Sequence, residues 1–184
     1  WAVGLNYNTG NWALRANAGQ SFRMPIAKEL ASNGVNYHQF SYELGNRDLS
    51  AEKSYQLDLG ATWENNNFTI DASPFVNYFP NYIYLNPTPN YDFAYGAGNQ
   101  IFNYTQNRVL RYGGEIKANY TFNEHYTFGV VGEYVYSEQL SGTKKGFTLP
   151  FSPPASALFN FTYTTNVGGI KNLFSGIDYK IVSA

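Results

Sequence analysis

The strongest constraint on this chain is a two-residue rhythm in which charge keeps to one side. From Tyr55 the odd positions read Tyr55, Leu57, Leu59, Ala61, Trp63, while the even ones read Ser54, Gln56, Asp58, Gly60, Thr62, Glu64. The same division recurs at Phe68, Ile70, Ala72, Val76 and Tyr78, at Ile116, Ala118, Tyr120 and Phe122, at Tyr126, Phe128, Val130, Tyr134 and Tyr136, and at Ala157, Phe159, Phe161 and Tyr163. Successive side chains of a strand point to opposite faces, so each segment is a ribbon with one apolar and one polar side. Within these stretches Asp58, Asp71, Glu115, Lys117 and Glu133 all fall on the polar side, and the apolar side carries no charge. Alternation alone also fits a soluble sheet with one wetted face.

The connections separate the two cases. Tight turns at Asn8–Asn11, Asn65–Asn67, Asn123–His125 and Thr164–Gly169 alternate with long stretches at 22–51, Asn86–Gln100 and Gln139–Pro150. Short turns at one end and long loops at the other are the up-and-down pattern of outer-membrane barrels. Aromatics flank the tight turns: Tyr7 and Trp12, Trp63 and Phe68, Phe122 and Tyr126, and Tyr163. Such rings favour the membrane–water boundary, where one end of the side chain is apolar and the other wet. The expectation is an all-β fold of about eight antiparallel strands, near 1–7, 12–21, 52–64, 67–85, 100–122, 125–138, 148–163 and 171–182, with Gly113-Gly114 marking a bend or bulge.

Composition excludes other classes. The balance of 12 Lys+Arg against 13 Asp+Glu leaves no basic footprint for nucleic acid. Without cysteine there are no disulfides, thiolate metal sites or cysteine nucleophiles. The two histidines stand in no nucleophile motif, so neither catalytic residues, a metal centre nor a cofactor is expected. With 17 Tyr, 14 Phe and 3 Trp the chain is too aromatic for a solvated coil. It opens at Trp1 inside strand-like sequence and stops inside it at Ala184, and is read as a piece of a longer polypeptide.

Several stretches carry a resemblance. Phe22-Arg23-Met24-Pro25 with Glu29-Leu30, then Gly45-Asn46-Arg47-Asp48-Leu49 and Glu52-Lys53-Ser54, resemble the arginine-proline box and the Gly-Asn-x-x-Leu-x-x-Glu-Lys-Ser box of TonB-dependent outer-membrane receptors. PFVNYFPNYIYLNP (74–87), RYGGEIKANYTF (111–122) and PFSPPASALFNFTY (150–163) look similar in the family's order. The resemblance implies that residues 1–184 are a partial transmembrane β-barrel domain. It would supply about eight strands of a 22-stranded antiparallel barrel, with the plug domain and closing strands outside the chain. The implied partners are outer-membrane lipid, the protein's own plug, TonB, and an iron complex such as a ferric siderophore or heme as cargo. The implied location is the outer membrane of a Gram-negative bacterium. Arg47 departs from the Asn-Pro-x-Leu form of the second box, and Gly34-Val35-Asn36-Tyr37-His38 from the Gly-Val-His-His-Gly of some members.

Candidate ligand contacts follow. His38, with Tyr37 and Tyr42 nearby, is either an iron ligand or an exposed loop residue. Arg23 and Arg47 are either a clamp on an anionic ligand or ion-pair partners of Glu29, Glu43 or Asp48. Tyr91, Phe93 and Tyr95 suit a flat aryl ligand, an upper aromatic girdle or a protein contact. Arg15, Asp58, Asp71, Glu115, Lys117 and Glu133 are expected to face the barrel interior and its plug. Two other readings are a complete eight-stranded outer-membrane barrel used for anchoring or adhesion, and a soluble carbohydrate-binding β-sandwich.

Overall fold

The computed structural model describes residues 1–94, 98–150 and 152–183. Eight long strands lie side by side in chain order: β1 (Ala2–Thr9), β2 (Trp12–Arg23), β5 (Glu52–Glu64), β6 (Phe68–Asp92), β7 (Asn99–Phe122), β8 (Tyr126–Gln139), β9 (Ser156–Val167) and β10 (Ile170–Val182). Every neighbouring pair among them is antiparallel. Among the described residues no strand pairs the outer edges of β1 and β10, so the sheet is open. The expected order and the alternation of short and long connections hold. The sandwich reading does not, because the eight strands form one sheet whose apolar side meets no second sheet.

Four expectations are corrected. The long stretch after β2 contains a one-turn helix, α1 (Ala27–Ala31), and a hairpin of β3 (Asn33–Asn36) and β4 (Ser41–Leu44), so the sheet has ten strands. Asn86–Gln100 is mostly not loop, since β6 runs on to Asp92 and β7 begins at Asn99. β9 begins at Ser156 and not near 148, and Thr148 makes only an isolated bridge to Glu138. Finally, β7 passes through Gly113-Gly114 with no shift in register on either side. A Cβ at Gly113 would collide with the Tyr134 carbonyl oxygen, and one at Gly114 would stand 2.9 Å from the Cα of its partner Pro74. These glycines therefore serve close strand approach beside a mid-strand proline. The β6 shift falls between Phe79 and Tyr82, around Pro80, where a missing N–H is tolerated.

Continuous register fixes the two faces of the sheet. Row by row, Trp12, Trp63, Ile70, Ala118, Val130 and Phe159 share one side, and Arg15, Asp71, Lys117 and Glu133 the other. On the apolar side, rings next to the tight turns touch in series. Trp12–Trp63, Trp63–Phe68 and Phe68–Tyr120 have centroid separations of 6.4, 5.8 and 6.4 Å, and Tyr126–Tyr163 lies at 5.0 Å. A second tyrosine level, Tyr55, Tyr78, Tyr112 and Tyr136, crosses the same face eight residues along β5 and β7. Eight residues span roughly 27 Å along a strand, or about 20 Å across a membrane at barrel tilt. The side chains between the levels include Leu57, Leu59 and Ile116, exposed by 41%, 46% and 52%.

What little core exists lies beyond the second tyrosine level, where the β6–β7 hairpin is covered on both faces. β8 pairs with β7 only from Val109 downward, leaving that β7 edge open above. β4 takes the open edge in parallel, Ser41↔Gln100 to Leu44↔Asn103, while β6 keeps the other. To reach it, the 24–51 segment crosses the side bearing Ile83, Leu85 and Tyr104, where Leu30 and Leu49 pack. On the opposite side Phe79, Tyr82, Tyr84 and Val109 pack under Leu149 from the β8–β9 connection.

Candidate functional site

Three groups of side chains are set by this framework. The first is the outer rim. Because β4 runs parallel to β7, its starting end lies level with Asn99–Gln100, which places the β3–β4 turn beside the β6–β7 tip. Tyr37 and His38 stand exposed on that turn, with Tyr37 73% accessible. Among the described residues the His38 ring has no hydrogen-bond partner, and its backbone N–H donates to Asn36 Oδ1 at 3.1 Å. Tyr91, in β6 opposite Gln100, and Phe93 are exposed as well. Tyr42 is not a loop residue as expected but sits in β4, and its hydroxyl donates to Asn33 Oδ1 at 2.8 Å. Tyr95 lies outside the described residues. The rim thus brings Tyr37 and His38 to the same end of the sheet as Tyr91, which is far from them in the chain. Among the described residues there is no cluster of three or more His, Asp or Glu able to hold a metal ion.

The second group anchors the 24–51 segment. Arg23 closes β2 opposite Glu52, and its Nε and Nη2 donate to the two Glu52 carboxylate oxygens at 3.0 and 3.2 Å. Its Nη1 donates to Glu29 Oε2 at 2.9 Å, and that oxygen also accepts the Ile26 N–H, capping α1. Glu52 Oε2 further accepts the Ile83 N–H at 2.7 Å, joining the anchor to the hairpin. This forked pairing is the ion-pair alternative for Arg23, with Glu29 as foreseen and Glu52 missed. Arg47 is exposed and forms no ion pair among the described residues, and Asp48 pairs with neither arginine.

Glu43 pairs with a lysine instead of an arginine. Its carboxylate is almost wholly buried, yet it receives Lys28 Nζ at 2.8 Å, Asn36 Nδ2 at 2.6 Å and the Tyr104 hydroxyl at 3.5 Å. Burial pushes its pKa up, but the Lys28 and Asn36 hydrogen bonds and the Lys28 charge outweigh it and hold Glu43 below the ordinary carboxylate value. The same hydrogen bond holds Lys28 above its ordinary value against the opposing cost of desolvation. Gly45 is required where the chain leaves β4, since a Cβ there would lie 2.6 Å from the backbone nitrogens of Ala31 and Ser32.

The third group is the charged face of the long strands. Arg15 Nη2 reaches Asp71 Oδ2 at 3.1 Å, and Asp71 also accepts the Thr62 and Ser73 hydroxyls. Lys117 pairs with Glu115 at 2.6 Å. Asp58 accepts the Gln56 amide, and Glu133, opposite Glu115, accepts the Ser156 hydroxyl at 3.3 Å. All six foreseen residues therefore lie on one face, four of them in ion pairs.

An uncharged, ring-bounded band on one side and a charged row on the other is the surface plan of a membrane barrel wall. The family comparison agrees over the whole chain: residues 1–184 match the family described as TonB dependent receptor-like, beta-barrel. The chain belongs to the TonB-dependent receptor β-barrel family. It is an outer-membrane protein of a Gram-negative bacterium, in a family of receptors and not of enzymes. Solved structures with a similar fold include the copper transporter OprC (20% identity, TM-score 0.77, covering 99% of this chain and 26% of that one). The siderophore receptor PirA from Pseudomonas aeruginosa is 17% identical with TM-score 0.67, covering 99% and 30%. The FrpB iron transporter from Neisseria meningitidis is 13% identical with TM-score 0.61, covering 97% and 26%. At such identities the likeness establishes the fold, and the chain spans between a quarter and a third of each of these proteins.

In this TonB-dependent receptor wall the anchor residues that the sequence does not announce are Lys28, Glu52 and Tyr104, while Glu43 is an ion-pair residue as expected but with Lys28 as its partner. Glu52 was detectable, because in the antiparallel β2–β5 pair the last residue of β2 faces the first of β5. Tyr104 was not, because no sequence pattern signals a strand inserted parallel to β7.

Proposed function

We propose that this chain is a stretch of the wall of a 22-stranded TonB-dependent outer-membrane transporter that takes up a bulky, scarce metal complex, a ferric siderophore or a similar iron complex. The single observation that carries the reading is that one face of the eight-stranded sheet is charge-free between its aromatic levels while the strand charges between those levels lie on the other face. Hydrocarbon is the medium that such a face fits, and a barrel interior the place that tolerates the other. Residues 1–184 form a partial barrel domain in this reading, with the plug and closing strands in other parts of the protein. The named structural neighbours handle copper, siderophores or iron, which supports a metal-containing cargo.

In this reading Arg15, Asp58, Asp71, Glu115, Lys117 and Glu133 face the plug and hydrogen-bond to it. Tyr37, His38, Tyr42, Tyr91 and Phe93 offer cargo contacts at the outer rim; Tyr95, outside the described residues, and Arg47, beyond the far end of β4, are further candidates for cargo contact. Arg23 acts through structure, holding the 24–51 segment against the hairpin. Cargo binds from outside, and TonB pulling on the plug releases it inward. The eight-stranded alternative is disfavoured by the unpaired edges of β1 and β10 among the described residues.

The test is uptake by the complete receptor in iron-starved cells with and without TonB. Uptake of radiolabelled iron that needs both proteins is the expected result. Equal uptake in the TonB-deficient strain would overturn the assignment.

A further inference from the structure

The apolar face is free of charge only as far as the second tyrosine level. Two cations stand in the row just beyond it. Going outward on β5, Lys53 follows Tyr55 on the same face, and on β7 Arg108 follows Leu110. Tyr55, Tyr78 and Leu110 are partners in one row, so Lys53 and Arg108 share the next, on either side of the β6 shift at Pro80 and Asn81. Their strands are two spacings apart, about 10 Å, a gap that a lysine and an arginine can close on one small group.

Both side chains are exposed, and neither forms an ion pair among the described residues. Only their backbones are held: the Lys53 N–H donates to Asn81 Oδ1 at 3.0 Å and the Arg108 N–H to Ser141 Oγ at 2.8 Å. Glu138 stands on this face, opposite Leu110 and therefore diagonal to Arg108, but the two form no ion pair.

The surroundings of the row are layered. Inward lie Tyr55, Leu57 and Leu59, all exposed, and beside Lys53 its β2 partner Phe22 is 72% exposed. Outward, Gln106 follows Arg108 on β7 and meets Ser50, donating to its carbonyl oxygen at 2.7 Å and accepting its N–H at 2.9 Å. Asn81 Nδ2 donates to the Ser50 hydroxyl at 3.2 Å, completing a neutral polar shelf. Aliphatic side chains, rings, cations and polar groups thus succeed one another from the middle of the wall to its outer edge. A membrane lipid presents acyl chains, a phosphate and a polar headgroup in the same order. A single basic side chain at this height would reach water by itself. Two unpaired ones in one row, beside an exposed ring, complement an anionic headgroup.

We propose that Lys53 and Arg108 form a docking site on the lipid-facing side of the wall for one phosphate-bearing lipid of the outer leaflet. Its phosphate lies between the two cations, and its acyl chains run inward past Phe22, Tyr55 and Leu57. The site depends on the membrane placement of the wall and is independent of the cargo.

The experiment is native mass spectrometry of the complete receptor released from detergent, with two probes. These are diphosphoryl lipid A and the same lipid with both phosphates removed. The wild-type receptor is expected to bind the phosphorylated probe at least tenfold more tightly. Lys53→Gln with Arg108→Gln should abolish that preference, whereas the charge-keeping pair Lys53→Arg with Arg108→Lys should retain it. Glu138→Gln, which removes the one carboxylate diagonal to Arg108, should tighten binding. Lys180→Gln, on the opposite face, should change nothing. Heat-modifiable gel mobility confirms that each variant is folded. Equal affinity of the wild type for the two probes is the result for side chains that only reach water, and it overturns the site. So do an undiminished preference in the double glutamine variant, no binding of the phosphorylated probe, and a structure of the complete receptor with an acidic protein segment seated between Lys53 and Arg108. Iron uptake is not read in this experiment, so its failure leaves the transport reading standing.

Discussion

If hydrocarbon touches the apolar face, a single charge there should cost an amount set by its depth and nothing else. Ile116 lies on β7 midway between Tyr120 and Tyr112 of the two tyrosine levels and is 52% exposed. An arginine or lysine at the bilayer midplane of a barrel costs about 2–4 kcal/mol, falling to about 0–1 kcal/mol near the interfaces. Ile116→Arg should therefore reduce the folding equilibrium constant by about 30- to 700-fold. Phe122→Arg, in the aromatic belt at the interface, should reduce it by less than about sixfold. The control is Ser73→Arg, at the height of Ile116 but on the opposite face and across from Glu115. There the new charge gains a partner, and stability should change by less than about 1 kcal/mol. Urea titration of the complete receptor in lipid vesicles, followed by tryptophan fluorescence and gel mobility, measures all three. Equal costs for Ile116→Arg and Ser73→Arg, or a greater cost at Phe122 than at Ile116, would refute the lipid contact.

The anchor of the 24–51 segment should be pH-sensitive in a defined direction. Because Glu43 is held below its ordinary value of 4.5, its contribution is complete above that pH and is lost as pH falls through the lowered value. Lys28 is held above 10.5, so its share is complete below that pH and is lost as pH rises through the raised value. Amide exchange in β4 should thus stay slow between these limits and quicken outside them. Arg23→Ala leaves Glu29 and Glu52 without their cation, and should weaken the segment by about 1–3 kcal/mol. The readout is faster exchange of the Ile83 N–H, with the tight turns unaffected. Cysteines at Tyr42 and Ile101, partners in the β4–β7 pair, should form a disulfide under mild oxidation of the intact receptor. Gly113→Val, whose Cβ meets the Tyr134 carbonyl oxygen, should prevent recovery of heat-modifiable mobility on refolding.

The wall was legible in the sequence because a membrane sheet writes each rule into every strand. One missing charge on an apolar face means little, but the absence repeats from Val3–Leu5–Tyr7 to Ile177–Tyr179–Ile181. The outer region is not periodic, and it was read less well. β6 beyond Pro80 has apolar side chains on both sides, Tyr82 and Tyr84 against Ile83 and Leu85, because segments far apart in the chain cover both faces. The continuation of β6 carries Asn86, Pro87, Pro89 and Asn90, residues that signal turns, so 86–100 reads as a loop in the sequence. α1 spans five residues and owes its form to the Glu29 carboxylate, held by an arginine outside the helix, so no amphipathic period announced it. The site was partly legible for the same reason. The six charges of the strands follow alternation, whereas the placement of Tyr37 and His38 at the same end of the sheet as Tyr91 depends on one parallel pairing.

If cargo binds at the rim as proposed, that pairing also decides how binding is transmitted. β4 shares an edge with β7, Glu43 ties β4 to α1 through Lys28, Glu29 ties α1 to Arg23, and Arg23 ties β2 to Glu52. Glu52 in turn holds the Ile83 N–H of β6. The chain of contacts closes on itself, so the rim turn, helix and hairpin share their anchors. A ligand that draws the β3–β4 turn inward must either carry β7 with it or break the Glu43 contacts, and burial makes breaking them costly. Rigid-body movement of the rim on the wall is therefore the lower-energy response. Its hinge then falls below the anchors, near the Phe79–Tyr82 shift in β6, where the ladder is already interrupted and bending costs least. Exchange measurements with and without bound iron complex should find the largest change there and little change between β4 and β7; the opposite pattern would mean that the turn moves alone.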